Sequence, residues 1–397
     1  MNEHELMQSL EHRAGGVEPG AAPLAAMTGR AATIRKRRSL VTAVAAAAAV
    51  AVVATTISLV GLGDETSAPD VVSPDGGSFL DDALAVLPGD SLQLSFSAPS
   101  AAAARLGLDR SSQEAYDADL VDNLVADPET GVDDTGGLFT PLSVYVEGLA
   151  DRPVNDYHVV WTAFGTSGPP AGIGTEASYQ VYRMTPGTDL DALADELVAA
   201  GLDEDEVRGR RHVYAESVAE VASQAGLIAD VYPLDFYDVT IDTEADLLIT
   251  GRGSSEVLEV LDGERESLAD TGTFDDVIGD LEQVELIDAS AGAECYGEAG
   301  EVQEPEAAGY LVTGGDDGSV GLTARVVLSD EATAATDLDA RVALFEQGPL
   351  GEAEAPLAEY GAYDVTLDGW VVELSLSEMS SQTVRDLTRL PYSIIGC

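Results

Sequence analysis

The sequence predicts an α+β fold, built as two related sheet-plus-helix modules with mainly antiparallel sheets and preceded by one transmembrane helix. Short segments with apolar residues at every second position alternate with segments of helical periodicity, a pattern typical of helices packed on sheets. A six-residue motif also occurs twice, and an uncharged apolar run precedes both copies. The length of 397 residues allows two or three domains.

The apolar run extends from Leu40 to Leu62 and has no charged residue over these 23 positions. A helix of about 20 apolar residues crosses the hydrocarbon core of a bilayer. Four basic residues, 35–38, precede the run, and Asp64 follows it closely. Basic residues flank the cytoplasmic side of membrane helices, so the pattern predicts a single-pass protein of the cell membrane with an extracytoplasmic C-terminus. The predicted parts are a cytoplasmic tail (1–38), a transmembrane helix (39–63), a flexible linker (64–78) and two extracytoplasmic domains (79–290 and 291–397).

A cleaved signal peptide is the alternative interpretation of this segment. The small residues at 52–54 suit a signal peptidase. Against cleavage, the segment before the apolar run is already longer than a complete signal peptide of about 15–30 residues. The run also continues through Val60 without a helix breaker. The sequence therefore favours a permanent anchor that contacts the cell membrane through residues 40–62.

The net charge of the chain changes sign at the end of the apolar run. The chain has 72 acidic and 19 basic residues; residues 1–63 carry a net charge of +2, which leaves −55 for the remainder. A field of that sign repels nucleic acid and anionic lipid headgroups, so no nucleic-acid partner is predicted. It favours a cationic ligand or a protein partner outside the cell. The alternative is a well-hydrated acidic surface that serves no dedicated partner.

Cys295 and Cys397 are the only two cysteines, and both lie on the predicted outer side. In an oxidising compartment an even number of cysteines is typical of disulfides, and two cysteines allow one pairing. The bridge would close a loop of about 100 residues, which stabilises the fold by up to roughly 4–5 kcal/mol in the chain-entropy model. A metal pair or a catalytic thiol is the alternative, but no second ligand motif lies near either cysteine.

The first outer domain is predicted from strand and helix patterns in turn. Residues 79–87 have apolar positions at helical spacing and stop at Pro88, whereas Ser91–Ser97 alternates as a strand. Thr188 is predicted to cap a helix that ends at Gly201. The remaining predicted strands are 142–146, 158–164, 179–184, 207–214, 236–241, 247–250 and 284–287, and the remaining helices are 101–106, 112–125, 257–261 and 274–281.

The second outer domain is predicted as two hairpins, each followed by a helix. A Gly-Gly-Asp-Asp-Gly sequence at 314–318 supplies the turn of the first hairpin, and Asp368-Gly369 supplies the turn of the second. Helices are predicted at 330–347 and 382–390. The hexapeptide YDVTID at 237–242 recurs as YDVTLD at 363–368, and both copies are followed by a strand, Ser-Ser and a helical pattern. This repeat predicts two similar modules.

Catalytic motifs are missing from the outer sequence. His158 and His212 are its only histidines and are 54 positions apart, which excludes an HExxH zinc motif. No GxSxG nucleophile elbow, phosphate-binding loop or dinucleotide-binding glycine motif occurs. With so many carboxylates, acidic pairs arise by chance and carry no information about a glycosidase. The sequence therefore predicts no catalytic, cofactor-binding or metal-binding residue and no cofactor.

Three clusters have a structural and a functional interpretation. The acidic runs 203–206 and 133–134 lack the spacing of a calcium loop. The basic cluster Arg208–Arg211 (RGRR) is predicted to balance neighbouring acids rather than to bind phosphate. The two histidines are predicted to have structural roles, and Trp161 and Trp370 are predicted to pack in the core.

The chain resembles uncharacterised single-pass membrane proteins of high-GC Gram-positive bacteria. The resemblance rests on a basic tail, RAATIRKRRSL, before an Ala/Val-rich helix, and on LDDALAVLPGDS, FTPLSV and ESLAD within an Asp/Ala-rich outer region. It covers most of the chain and implies no established activity. The sequence thus favours a non-enzymatic envelope protein that binds a ligand or partner. The alternatives are a carboxylate-dependent envelope hydrolase and a signalling protein that acts through its cytoplasmic tail.

Overall fold

The strands that the structure describes join in one sheet of twelve strands, in which each neighbouring pair is antiparallel. The computed structural model describes residues 78–110, 112–116, 154, 156–167, 177–215, 238–281, 283–292, 302–314, 320–347 and 362–379. These residues belong to one compact unit, Ala68–Cys397.

Sequence order and sheet order differ on both sides of the middle strand. Its strands are β1 (Ser91–Ser97), β2 (Val159–Ser167), β3 (Ala177–Met184), β4 (Asp203–Val207), β5 (Arg210–Tyr214), β6 (Asp238–Asp242), β7 (Leu247–Thr250), β8 (Val284–Ala291), β9 (Ala307–Gly314), β10 (Val320–Val327), β11 (Ala362–Asp368) and β12 (Val371–Met379). Their order in the sheet is β11-β12-β10-β9-β8-β1-β2-β3-β7-β6-β5-β4. The first described strand is therefore central, while β4 and β11 form the two edges.

The helices are short, apart from one of 17 residues. They are α1 (Phe79–Leu84), α2 (Pro99–Arg105), α3 (Leu190–Ala199), α4 (Ser254–Leu261), α5 (Leu268–Thr271), α6 (Asp275–Ile278) and α7 (Glu331–Gln347), with a 3₁₀ turn at Asp156–His158. Helix α3 begins one residue later than the sequence predicts. Asp189 rather than Thr188 is the N-cap, because its carboxylate accepts the amide of Ala192 at 2.9 Å.

The predicted α+β fold with two related modules is wrong. The described residues form a single large antiparallel sheet with few helices, and both copies of the repeated hexapeptide contribute strands, β6 and β11, to that one sheet. The boundary predicted between residues 290 and 291 falls within β8, which pairs directly with β9. A repeated hairpin sequence specifies a local turn and the two strands that flank it. It does not specify which other strands of the sheet pair with that hairpin.

Apolar side chains cover both faces of the sheet. On one face, α1, α4, α5 and α6 contribute to a cluster over the central strands, with Phe96, Trp161 and Leu311 at its base. On the opposite face, α3 packs over β5–β7 and α7 over β10–β12, in two separate clusters. Successive side chains of a strand point to opposite faces of the sheet, so one strand can contribute to clusters on both faces. Leu311 of β9, for example, lies in the first cluster, and its neighbours Tyr310 and Val312 lie in the cluster under α7.

The two tryptophans differ from each other, although the sequence predicts core packing for both. Trp161 is fully buried in β2, and its indole N–H donates to Asp82 Oδ2 at 3.0 Å. Trp370 is 48% exposed, and its indole N–H donates to Asp276 Oδ2 at 2.9 Å. The core prediction for Trp370 is wrong because this residue lies in the turn between β11 and β12, outside the alternation of either strand.

Several predictions fall outside the described residues. These are the tail 1–38, the transmembrane helix 39–63 with its membrane contact at 40–62, most of the linker 64–78, the helix 382–390 and the cysteine pair Cys295 and Cys397. Within the ranges that the structure describes, no helix has the length and apolar character needed to cross a membrane.

Candidate binding cleft

The β4–β5 hairpin brings the acidic run and the basic cluster together at one edge of the sheet. Strand β4 pairs with β5 in a register that sets Asp205 opposite His212. Arg208 and Gly209 form the two-residue turn, with φ angles of 54° and 79°. A hairpin turn with two positive φ angles matches the twist of the strands, and glycine adopts this conformation without steric cost.

Two arginines, one in the turn and one directly after it, are held by carboxylates from neighbouring segments. Arg208 Nη1 lies 2.9 Å from Asp262 Oδ2 and 2.7 Å from Glu264 Oε2. Arg210 Nε lies 2.6 Å from Asp242 Oδ2, and its Nη1 lies 2.9 Å from Asp262 Oδ1. Hydrogen bonds from Arg210 and Arg208 lower the pKa of Asp262, so this carboxylate is ionised at neutral pH.

Arg211 joins the hairpin to helix α3. Its Nη2 lies 2.6 Å from Asp195 Oδ1, its Nε 2.5 Å from Glu204 Oε1, and its Nη1 3.4 Å from Asp191 Oδ1. Hydrogen bonds to Glu204 and Asp195 raise the pKa of Arg211. All three arginines of the RGRR cluster are therefore neutralised by carboxylates, as the sequence predicts.

An open cleft of about 600 Å³ lies against this hairpin, the β6–β7 turn and the residue that follows α4. It is lined by Asp191, Glu204, Asp205, Glu206, Arg208, Gly209, Arg210, Arg211, Ile241, Asp242, Thr243, Glu244 and Asp262. Seven of these side chains carry a carboxylate and three a guanidinium, so the lining has a net charge of −4.

Three lining carboxylates have no cationic partner among the residues that the structure describes. Asp205 Oδ1 accepts the amide of Glu206 at 2.7 Å, which leaves its charge in place. Glu206 lies on the edge strand, and Glu244 lies in the β6–β7 turn, where both are exposed. Asp205, Glu206 and Glu244 therefore carry the part of the cleft's negative charge that the lining arginines do not neutralise.

The acids of the cleft do not converge on one point. Successive side chains of β4 point to opposite sides of the strand, which separates Asp205 from Glu204 and Glu206. Across the described ranges, no three His, Cys, Asp or Glu side chains are arranged to hold a metal ion. The cleft thus offers spread negative charge rather than a coordination sphere.

The two outer histidines make contacts within the fold, and His212 lies opposite Asp205 in the β4–β5 pair. His158 is half-buried, with its ring 5.2 Å from that of Tyr157 in an edge-on arrangement. Burial and the nearby charge of Arg110 lower the pKa of His158. His212 Nε2 lies 2.9 Å from Asp238 Oδ1, and its ring stacks on that of Tyr214. Both contacts agree with the structural roles that the sequence predicts.

A second polar centre lies in the middle of the sheet, between the clusters under α3 and α7. Ser95, Asp288 and Tyr310 are opposite one another on three adjacent strands. Ser95 Oγ donates to Asp288 Oδ1 at 3.3 Å, and Tyr310 Oη donates to Asp288 Oδ2 at 3.1 Å. Burial raises the pKa of Asp288, and these two hydrogen bonds oppose that shift.

The replacement Asp288→Asn is expected to raise the melting temperature at pH 7. A carboxyl whose folded-state pKa is raised stabilises the fold while it is protonated, and this stability is lost as pH increases through the folded-state pKa. An amide of the same shape carries no charge at any pH, so the advantage of the variant should shrink as pH falls toward 4. Thermal unfolding followed by circular dichroism between pH 4 and 7 measures both effects.

Asp364→Asn is the matched control, because Asp364 is exposed on β11 and its replacement removes the same charge. Any acid removed from a chain of net charge −53 reduces self-repulsion. Equal stabilisation by the two variants would contradict a specific penalty at Asp288.

The sequence did not predict that residues 203–206 form a strand. Asp and Glu are depleted in strands, so four consecutive acids are typical of a loop. The two-residue spacing between Val207 and Arg210, filled by Arg-Gly, was the available signal for a hairpin. The predicted strand 207–214 included this turn and so missed β4. The edge position explains the composition, because every acid of β4 is exposed to water.

Comparisons with known proteins show little similarity. No protein-family model and no curated protein match the chain. Crystal form III of TP0453 is 9% identical with a TM-score of 0.38, and crystal form I is 9% identical with a TM-score of 0.34. Each comparison covers 77% of this chain and 96% of that chain. Similarity at this level establishes neither a shared fold nor a shared site.

Proposed function

We propose that this chain is a membrane-anchored, extracytoplasmic protein of the cell envelope that binds a cationic partner without catalysing a reaction. The membrane anchor and orientation come from the apolar run and its flanking charges. The proposed site is the cleft beside the β4–β5 hairpin. The observation that carries the proposal is the division of its charges: carboxylates neutralise every lining arginine, and three lining carboxylates have no cationic partner in the part of the chain that the structure describes.

The charge balance selects the sign of the partner. The carboxylates paired with Arg208, Arg210 and Arg211 leave these cations little attraction for an anionic ligand. Asp205, Glu206 and Glu244 have no cationic partner among the described residues, and the net charge of −53 adds a long-range attraction for cations. Complementary charge of this kind increases association rates and excludes partners of the same sign.

The shape of the site selects an extended partner. The carboxylates are distributed along a strand edge and the adjoining turn, so several separated positive charges fit them better than one ion does. A peptide segment with repeated lysine or arginine side chains has this distribution. The proposed partner is therefore a basic segment of a protein at the cell envelope.

The triple replacement Asp205→Asn, Glu206→Gln, Glu244→Gln is expected to weaken binding of a fluorescein-labelled decalysine peptide by about tenfold. Exposed ion pairs contribute up to about 1 kcal/mol each, and three of them account for a change of that size. Fluorescence anisotropy on the full chain in detergent micelles gives the dissociation constants. The ionic strength is varied from roughly 0.05 to 0.3 M, a range that includes the physiological value.

The control is Asp280→Asn, Glu304→Gln, Asp339→Asn, which removes the same charge from exposed positions outside the cleft. It should change the affinity much less. Equal losses in the two triple variants would assign the binding to the overall charge and refute the cleft as the site. Turnover of a polysaccharide or peptide by the wild-type chain would instead support the hydrolase alternative.

A further inference from the structure

The two edges of the sheet differ in composition. Strand β4 presents four consecutive acids at one edge, which prevents it from pairing with another acidic strand. Strand β11, of sequence AYDVTLD, forms the other edge and pairs with β12 alone among the described strands. An edge strand presents unpaired backbone N–H and C=O groups, which can form hydrogen bonds with a further strand.

The exposed aromatic residues lie on this second edge. Among the described residues, the large hydrophobic side chains with the greatest exposure are Tyr363, 39% exposed on β11, and Trp370, 48% exposed in the β11–β12 turn. Tyr363 is held on the face that carries α7, because its hydroxyl donates to Glu346 Oε1 at 2.7 Å. Tyrosine and tryptophan are enriched where proteins bind one another.

We propose that β11 pairs antiparallel with β11 of a second copy of this chain, around a two-fold axis at Val365. In this register Tyr363 lies opposite Leu367, Asp364 opposite Thr366, and Ala362 opposite Asp368. Aromatic and aliphatic residues that face one another across antiparallel strands stabilise the pair. No acid faces another acid across the axis, so the sheet continues from one copy into the other.

Neighbouring registers lack this complementarity. An axis at Thr366 sets Asp364 of each copy opposite Asp368 of the other, and an axis at Asp364 sets the two Asp364 residues opposite each other. Like charges directly opposite are destabilising. Pairing of β11 with β4 would set Asp364 and Asp368 among four further acids. The sequence of β11 therefore selects a closed, symmetric dimer over an open chain of copies.

Charge also determines how the dimer responds to salt. Each copy carries a net charge of −53, and this repulsion opposes association at low ionic strength. Added salt screens the repulsion while it leaves backbone hydrogen bonds and apolar contacts in place. Dimerisation is therefore expected to strengthen as salt increases, which is opposite to the response expected for a basic peptide in the cleft.

Two replacements at Thr366, an exposed position on β11, test the register. Thr366→Asp sets a carboxylate opposite Asp364 at two symmetric places and is expected to weaken dimerisation by about tenfold. Thr366→Lys sets a cation there and is expected to strengthen it by about tenfold. Sedimentation velocity of the full chain in detergent, over a range of protein concentrations at low and high salt, gives the association constants.

Ala104→Asp and Ala104→Lys make the same charge changes at an exposed position on α2, away from both edges and from the cleft, and should have little effect. A wild-type chain that is monomeric at every concentration and salt would overturn the proposal. A dimer that responds equally to replacements at Thr366 and Ala104 would do so as well, because its interface would lie elsewhere. The proposal is independent of peptide binding at the cleft, so either can fail alone.

Discussion

Replacement of Arg105 by alanine is expected to destabilise the protein by about 3–5 kcal/mol, the usual effect of removing one partner of a buried ion pair. Arg105 Nε lies 2.7 Å from Glu285 Oε1, and its Nη2 lies 2.9 Å from Glu285 Oε2. The two side chains are only 5% and 3% exposed. Without the guanidinium, Glu285 would be a buried acid with no ionic partner to offset its desolvation, which is the origin of the large effect.

Two controls separate the buried charge from the lost contacts. The double variant Arg105→Met, Glu285→Leu removes both charges and should recover much of the stability, because no buried charge is left unpaired. Arg265→Met removes the solvent-accessible ion pairs with Asp90, Glu256 and Glu259 and should cost less than about 1 kcal/mol. Equilibrium unfolding in urea measures all three. A double variant as unstable as Arg105→Ala would contradict the proposed cause.

Replacement of Trp161 by alanine should destabilise the protein by a similar amount, about 3–5 kcal/mol. The side chain is fully buried between the central strands and the helices of one face, so truncation leaves a cavity. The indole hydrogen bond to Asp82 is lost as well. Urea unfolding followed by circular dichroism gives the change in free energy without depending on tryptophan fluorescence.

Trp370→Ala is the matched control, because this indole is half exposed and has one hydrogen bond to an exposed acid. The change should be less than about 1 kcal/mol, as for most surface substitutions. Equal destabilisation by the two alanine variants would contradict the distinction between a core tryptophan and a turn tryptophan.

Local elements of the fold could be predicted where a pattern is self-contained. The alternation in SLQLSFS gives β1 with correct bounds, and the apolar LLIT gives β7. The second hairpin could also be predicted, although its turn is Gly369-Trp370, one residue later than the predicted Asp368-Gly369. Gly369 takes the positive φ of 58° that the turn needs. These features depend on backbone periodicity and turn chemistry within about ten residues.

The assembly of the sheet could not be predicted in the same way. YDVTID and YDVTLD both form strands, yet β6 lies within the sheet with most of its residues buried, whereas β11 is an exposed edge. The partners that decide this difference are distant in sequence, as in the pairing of Ser95 with Asp288. The cleft was missed for a related reason, since Asp205 and Glu244 come together only when β4, β5 and β6 are adjacent.

The central place of β1 has a consequence for synthesis of the chain. This strand is made early, but its neighbour β8 is 193 residues further along, measured from Ser95 to Asp288. At about 5–20 residues per second, β8 follows roughly 10–40 s later. During that interval one side of β1 has no strand to pair with, and unpaired strands are prone to aggregate. The nascent chain therefore needs protection at its middle strand, and the repulsion between its many carboxylates supplies part of it.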